Sequence, residues 1–173
     1  MHGWLDVKCH ELLYPHYKKA KKLRKIQPKR PFGLSIEEGP EEINNRLEVE
    51  HWEIYTVILP KAKNECLLTL TDRVTRLEVI LLITPDKSAL SVNTALLELQ
   101  NGFHFKSITS DNGHKFAKLS EAVACPVYYC HAYASFERGM NENQNRMIRH
   151  FLPKGTTKTT SEEVARIEAW MNH

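Results

Sequence analysis

The chain has 173 residues, of which 42% are hydrophobic, and its formal net charge at pH 7 is +3. This length is sufficient for one well-packed core, and no apolar run approaches the ~20 residues that cross a membrane. The amino terminus lacks the basic stretch and hydrophobic run of a secretory signal, and the four cysteines form no CxxC pair. These features predict a cytoplasmic protein with reduced thiols, and they argue against a disulfide-rich secreted domain.

Charge is distributed unevenly over the first 50 residues. Residues 18–30 contain eight basic side chains and no acid, and an acidic cluster follows between residues 37 and 50. Because blocks of like charge do not bury, we expect residues 1–45 to be a basic and then acidic linker, partly disordered, before a folded domain over residues 46–173. A basic run beside a domain is typical of phosphate binding, although a merely solubilising tether has the same composition. The candidate phosphate-binding side chains of this run are Lys18, Lys19, Lys21, Lys22, Arg24 and Lys25.

Three strands in succession are predicted at the start of the domain. Residues 52–59 are aromatic and β-branched and are typical of a strand, two further strands are predicted over residues 66–71 and 77–83, and short turns separate the three. Consecutive strands with short connections form an antiparallel meander.

Helices and strands alternate in the remainder of the chain. Helical spacing of apolar residues over 92–99 is followed by a fourth strand over 103–110, a helix over 114–124 and a fifth strand over 126–130. Two more helices are predicted, over residues 139–151 and from Thr160, where Thr160 and Glu163 form a capping box. The order predicts an α/β fold with a mixed five-stranded sheet, in which the meander precedes alternating helices and strands, flanked by helices.

Two polar segments are candidates for chemistry. Asp111 closes the fourth predicted strand, where α/β sheets place functional groups, although Asp-Asn-Gly is also good turn chemistry. In the helix over 139–151, Glu142, Arg146 and Arg149 fall on roughly one face, which offers a carboxylate to a metal and two guanidinium groups to phosphate. A solvated face with an internal ion pair explains the same pattern, so the helix alone does not decide.

Taken together with other short motifs, these segments resemble the transposases of the IS-thirty insertion-element family. The resemblance runs from about Ile36 to the end of the chain. It implies a ribonuclease-H-like, retroviral-integrase-like catalytic core of the DDE type, in agreement with the predicted order of elements. The matching motifs are Ser35-Ile36-Glu37-Glu38, Pro40-Glu41-Glu42-Ile43-Asn44-Asn45-Arg46, His51-Trp52-Glu53, Leu68-Thr69-Leu70-Thr71-Asp72-Arg73, Ser110-Asp111-Asn112-Gly113, Ser135-Phe136-Glu137-Arg138-Gly139, Asn141-Glu142-Asn143 and Phe151-Leu152-Pro153-Lys154-Gly155.

The resemblance implies metal-dependent phosphoryl transfer for DNA cleavage and strand transfer. In the family, two Asp and one Glu hold two divalent cations, Mg²⁺ or Mn²⁺, one activating the attacking hydroxyl and the other stabilising the leaving oxygen. By position, Asp111 is the second acid and Glu142 the third, and both are expected metal ligands. DNA is the expected partner of the basic run and of Arg146 and Arg149, and self-association is left open. The expected location is the bacterial cytoplasm, at the nucleoid when DNA is bound.

The first acid of the family falls at Tyr55 in this chain. A phenol is neutral at physiological pH, larger than a carboxylate and a poor ligand for a hard cation. Glu53, on the same strand face, and Asp72, across the strand pair, are two alternative ligands, although Asp72 belongs to a turn. Lys115 also stands where relatives have Glu. These exchanges predict a degenerate copy that is inactive.

Other interpretations stay open from the sequence. The family carries an amino-terminal helix-turn-helix region, so we expect this chain to be truncated at that end and also within the last helical region of the core. A non-catalytic DNA-binding or dimerisation remnant is the alternative to an enzyme. A zinc site from Cys125, Cys130 and His131 is weaker, because Cys-x₄-Cys without a second pair is more typical of buried thiols.

Overall fold

A computed structural model describes residues 33–59, 65–131 and 139–173, without the side chains of residues 139–142. The basic run at residues 18–30 lies outside these ranges, as does the side chain of Glu142. Within the ranges, no helix has both the length and the apolar character needed to cross a membrane.

A six-stranded mixed sheet forms the centre of the fold. The strands are β1 (Leu34–Ser35), β2 (His51–Ile58), β3 (Cys66–Asp72), β4 (Glu78–Ile83), β5 (Ser107–Ser110) and β6 (Val127–Tyr129). The predicted antiparallel meander is confirmed as β2–β3–β4. Strands β5, β6 and β1 continue the sheet in parallel from β2, which gives the order β1-β6-β5-β2-β3-β4.

The sixth strand, β1, lies in the segment predicted to be a linker, so the predicted count of five strands is wrong. Leu34 pairs with Tyr128 at the sheet edge, and a 3-10 turn over Ile36–Glu38 and helix α1 (Glu41–Asn45) follow. The acids of this segment lie in the first turns of short helices, where negative charge is favourable, and Ile43 is buried. Ordered structure therefore precedes residue 46.

Four further helices cover the sheet: α2 (Ala89–Leu99), α3 (Leu119–Ala122), α4 (Gly139–Phe151) and α5 (Ser161–Met171). The Thr160 side chain caps α5 by accepting a hydrogen bond from the Glu163 N–H at 3.2 Å. The helix predicted over 114–124 is divided into a 3-10 turn, His114–Phe116, and α3. The division lets Phe116, on the turn, and Leu119, on α3, both reach the core.

The fourth predicted strand is shorter than expected, because its first residues leave the sheet. Phe103 and Phe105 pack edge-to-face against Trp52, with ring centroids 5.7 and 5.9 Å away. Their burial against that ring replaces strand pairing for the segment before Ser107.

The sheet separates two apolar cores. One core, which includes Trp52 and Ile54, lies under α2 and α3. The other, which includes Val57, lies under α4 and α5 through residues such as Ile148 and Ile167. Alternate side chains of β2 therefore point to opposite cores, as strand geometry requires.

Helix α5 also runs along the outer edge of β4. Glu168 Oε2 accepts a hydrogen bond from the Ile80 N–H at 2.6 Å, and Asn172 Oδ1 accepts one from the Glu78 N–H at 2.8 Å. Asn172 Nδ2 donates to the Glu78 carbonyl at 2.8 Å. These side chains satisfy an edge that another strand could otherwise pair with.

Candidate functional site

Tyr55 lies on β2, and Asp111 directly follows the neighbouring parallel strand β5. The β2–β5 register pairs Trp52 with Ile108 and Glu53 with Thr109. Asp111 follows β5 directly, so two more residues along each strand bring Tyr55 level with Asp111. Alternation of side chains places both on the sheet face of Glu53.

Asp111 shapes the turn in which it lies. Its Oδ1 accepts a hydrogen bond from the Gly113 N–H at 2.8 Å. A Cβ atom at position 113 would lie 2.6 Å from the same oxygen, so this turn requires glycine. Asp111 therefore forms the turn that the sequence left open as one interpretation. This turn fixes the orientation of a carboxylate at the carboxyl end of a central strand.

Tyr55 is half-buried and packs against the core under α4 and α5. Its backbone pairs with Thr69 of β3, within a strand that continues on either side of it. Position 55 therefore lies inside the regular sheet, and its side chain contributes apolar contact to the adjoining core.

Helix α4 covers the sheet face on which Tyr55 lies, and Glu142 lies in its first turns. Ile148 and Leu152 anchor the helix in the core beside Tyr55. The helix that carries Glu142 therefore packs beside the strand that carries Tyr55.

The two arginines of α4 have different surroundings. Arg149 donates from Nη2 to the Ile58 carbonyl at 2.5 Å and from Nη1 to the Leu152 carbonyl at 3.5 Å. It therefore joins the end of β2 to the end of α4. Arg146 is exposed and donates to Asn143 Oδ1 on its own helix at 2.8 Å. Arg146 is the more accessible of the two to an external phosphate.

Asp72, one of the alternative ligands, is committed to a turn. Its carboxylate accepts hydrogen bonds from the N–H groups of Glu50, Val74 and Thr75 at 2.6, 3.0 and 2.7 Å, and from Thr75 Oγ at 2.9 Å. It pairs with Trp52, three residues before Tyr55, which corresponds to roughly 10 Å along the strand. Asp72 is therefore remote from position 55.

Glu53, the other alternative, is on the appropriate sheet face but is deeply buried. Its carboxylate lies 3.3 Å from the guanidinium of Arg73, and their side chains are 2% and 7% exposed. Removing either partner would leave the other as an uncompensated buried charge. Glu53 is therefore held by a structural ion pair.

Lys115 points away from Tyr55. Its ammonium nitrogen is shielded from solvent and lies close to Cys66, on the opposite face of the sheet. Burial raises the pKa of the Cys66 thiol, and the positive charge of Lys115 acts against that rise. The sequence places Lys115 close to Asp111, but the fold directs its charge towards the other core.

A row of buried polar side chains crosses four strands beside this site. Register pairs Thr109 with Glu53, Glu53 with Thr71, and Thr71 with Glu78. Thr71 Oγ donates to Glu78 Oε2 at 2.5 Å, and burial is the main cause that raises the pKa of Glu78 to about 8. Sequence reasoning missed this row, although polar residues at alternate strand positions were its signal.

Candidate metal-binding side chains occur throughout the described ranges. No three His, Cys, Asp or Glu side chains there are grouped closely enough to hold a metal ion. Cys125, Cys130 and His131 all belong to those ranges, so they do not form the zinc site considered from the sequence. Burial raises the pKa of the Cys125 thiol, which disfavours the thiolate that zinc requires.

Comparison with known proteins gives relatives of one kind. The chain is 43% identical over 154 residues to a probable transposase of the insertion-like sequence element IS1161 from Streptococcus salivarius, covering 88% of the chain and 45% of that protein. It is 34% identical to the transposase of IS4351 from Bacteroides fragilis, covering 83% and 45%, and 34% identical to transposase InsI of IS30C from Escherichia coli, covering 82% and 38%. The chain thus spans less than half the length of these relatives. No family model matches it.

Among solved structures, the catalytic core domain of BIV integrase resembles this fold, with a TM-score of 0.53 and 17% sequence identity. The match covers 69% of this chain and 81% of that domain. At this identity the likeness concerns the fold alone, which is the ribonuclease-H-like fold of integrase catalytic cores.

Proposed function

Since the chain is a member of the insertion-sequence transposases that include those of IS30, we propose that it forms the catalytic core of a DNA transposase whose phosphoryl-transfer activity has been lost. In this proposal the core begins at β1, and residues 1–32 contain the basic linker. Tyr55 occupies the position of the first metal-binding acid, and Asp111 and Glu142 are the second and third.

The parallel pairing of β2 with β5 is the observation that carries the proposal, because its register, continued by two residues, brings Tyr55 level with Asp111. Two carboxylates that share a metal must approach within a few ångströms of one ion. Neighbouring parallel strands allow that approach, and α4, which carries Glu142, packs on the core beside Tyr55. A phenol at position 55 therefore interrupts an arrangement that otherwise suits three acids.

A pair of divalent cations would supply activation of the attacking oxygen and stabilisation of the leaving oxygen. The side chains of this chain do not fit such a pair. Tyr55 replaces one carboxylate, Glu53 is held by Arg73, and Asp72 is bound to its turn. We therefore propose weakened binding of Mg²⁺ or Mn²⁺ and assign no catalytic step to this chain.

The test compares the wild-type chain with Tyr55→Asp and with Tyr55→Asn, which matches the size of Asp without its charge. Calorimetric titration with MnCl₂ should show tighter binding in Tyr55→Asp by about tenfold or more, the scale on which single groups around a metal act. Tyr55→Asn should bind as weakly as the wild type. Nicking of a supercoiled plasmid in Mn²⁺ requires no knowledge of the DNA ends and should be absent from the wild type.

Two results would overturn the proposal. Robust Mn²⁺-dependent nicking by the wild-type chain would refute the loss of activity. Equal Mn²⁺ affinities of correctly folded Tyr55→Asp and wild-type chains would show that position 55 is not part of the metal site.

DNA binding without catalysis is a second proposed function, favoured by the eight basic side chains of residues 18–30. Such binding is dominated by counterion release, so its affinity should fall steeply with salt and depend little on sequence. Titration of a labelled duplex at several salt concentrations measures the dependence. Affinity that is independent of salt would count against this function.

A further inference from the structure

An exposed aromatic groove lies between α4 and α5, on the outer surface of the helical layer. Phe151 and Trp170 are 38% and 54% exposed, and their rings meet edge-to-face with centroids 4.9 Å apart. Adjoining cavities of about 300 and 480 Å³ both include Trp170 in their lining. Large exposed aromatic rings on a folded surface commonly mark a site of association.

The groove is bordered mainly by basic side chains. Arg146, Arg149 and His150 line it from α4, and Arg166 lines it from α5. Among the described lining residues Glu163 is the only acid, and its carboxylate accepts a hydrogen bond from Thr159 at 2.8 Å. No carboxylate of the described chain forms an ion pair with Arg146 or Arg166. The groove thus combines ring faces with the positive charge of its arginines.

We propose that this α4–α5 groove binds a single strand of DNA, with a base stacked on Trp170 and flanking phosphates held by Arg146 and Arg166. Positive charge argues for a polyanion and against the basic segment of residues 18–30 as the occupant. The aromatic rings argue for a single strand, because bases in a duplex have no free face for stacking. The inference rests on the proposed function only in taking DNA as the polyanion.

The α5 residues of the groove do not belong to the elements that carry the candidate metal site. Arg146 follows Glu142 by one helical turn, but Trp170 and Arg166 belong to α5, whose buried face packs on the core and the β4 edge. Binding in the groove therefore does not require a metal ion. It would hold an unpaired strand beside the helix that carries Glu142.

The test measures binding of the full chain to fluorescein-labelled oligo(dT), and to a duplex of equal length, in EDTA. Trp170→Ala should weaken oligo(dT) binding by about tenfold, the scale of one base-aromatic stack, with an unchanged salt slope. Trp170→Phe should retain most of the affinity. Arg166→Ala should reduce the salt slope by about 0.7, the contribution of one phosphate contact on a single strand.

Matched controls are Leu90→Ala, which truncates a more exposed apolar side chain on α2, and Lys118→Ala, which removes an exposed cation from the other side of the sheet. Both should bind as the wild type does. Unchanged urea midpoints establish that Trp170→Ala is folded, as expected for an exposed side chain.

Three outcomes would overturn the inference. The first is binding of oligo(dT) by Trp170→Ala that equals that of the wild type, and the second is an equal loss of affinity for duplex and single strand. The third is sedimentation in which Trp170→Ala disrupts self-association without changing DNA affinity, which would assign the groove to a second copy of the chain. Plasmid nicking by the wild type would refute the proposed loss of catalysis and leave this binding result intact.

Discussion

Glu78 should make the stability of the fold depend on pH in the neutral range. Its carboxyl group lies within the sheet, and burial is the first cause that raises its pKa from about 4.5 to about 8. The nearby carboxylates of Glu168 and Glu53 act in the same direction, while the hydrogen bond from Thr71 opposes them. The folded protein therefore retains the proton to a higher pH than the unfolded chain.

The sign and size of the effect follow from proton linkage. Between pH 4.5 and 8 the unfolded chain has lost this proton and the folded chain has kept it, so stability falls as pH rises. The contribution is fully present below pH 4.5 and is lost as the pH rises through about 8. At 1.36 kcal/mol per pKa unit, the whole shift corresponds to about 5 kcal/mol. That amount is comparable with the total stability of a small domain.

Glu78→Gln isolates this group, because the amide oxygen can accept the Thr71 hydrogen bond but does not titrate. Urea unfolding of wild type and variant at several pH values, followed by the fluorescence of buried Trp52, gives the difference in free energy of unfolding. The two chains should be similar near pH 5, and Glu78→Gln should be more stable by several kcal/mol at pH 8. All other ionisable groups are common to both chains, so their contributions cancel in the difference. A difference in free energy of unfolding that is constant from pH 5 to 8 would refute the raised pKa of Glu78.

Three further variants test other contacts by urea unfolding. Arg149→Ala should lower the free energy of unfolding by about 2 kcal/mol, the scale of hydrogen bonds from a charged donor. Unchanged stability with weaker DNA binding would show that Arg149 contacts phosphate and does not join β2 to α4. Asn172→Ala removes two hydrogen bonds to the Glu78 backbone, so it should cost ~1–2 kcal/mol and increase light scattering from the opened β4 edge. Gly113→Ala should cost about 1–3 kcal/mol because its Cβ meets Asp111 Oδ1, and an unperturbed midpoint would contradict that contact.

The order of elements could be predicted from the sequence because each element carries its own pattern. The β-branched runs of β2, β3 and β4 and the helical spacing of α2 are local signals. Strand β1 is two residues long, too short for any period, and its pairing with β6 depends on a contact more than 90 residues away. Neither the short strand nor the acid-rich α1 differs in composition from an exposed linker.

The candidate site was also predictable only in part. A carboxylate at the end of a predicted strand and a polar run on a predicted helix were visible as Asp111 and Glu142. The contacts of the neighbouring residues were not visible, because the direction of a long side chain depends on the packed fold. Lys115 reaches towards Cys66 on the opposite face, and Arg149 binds backbone carbonyls. Sequence spacing alone predicts that both side chains face the candidate site, whereas both make their contacts elsewhere.

In the proposed function, the exchange at position 55 replaces charge with packing, which gives the proposed loss of catalysis a thermodynamic signature. Tyr55 adds a half-buried ring to the core that contains Val57 and Ile148. Tyr55→Asp and Tyr55→Asn should each cost about 1–3 kcal/mol, less than the 3–5 typical of a fully buried aromatic. Repulsion between the new carboxylate and Asp111 should make Tyr55→Asp the less stable of the two without metal.

Mn²⁺ should make Tyr55→Asp the more stable of these two variants. A cation that binds only the folded state stabilises it by about 3 kcal/mol at one hundred times its dissociation constant. Thermal unfolding with and without MnCl₂ should therefore show a clear rise in the melting temperature of Tyr55→Asp and little change in Tyr55→Asn. Because both variants lose the same ring, the difference between their responses reports the metal site alone. Equal responses, or none, would mean that Tyr55 replaced a packing residue and that the missing acid lies elsewhere in the chain.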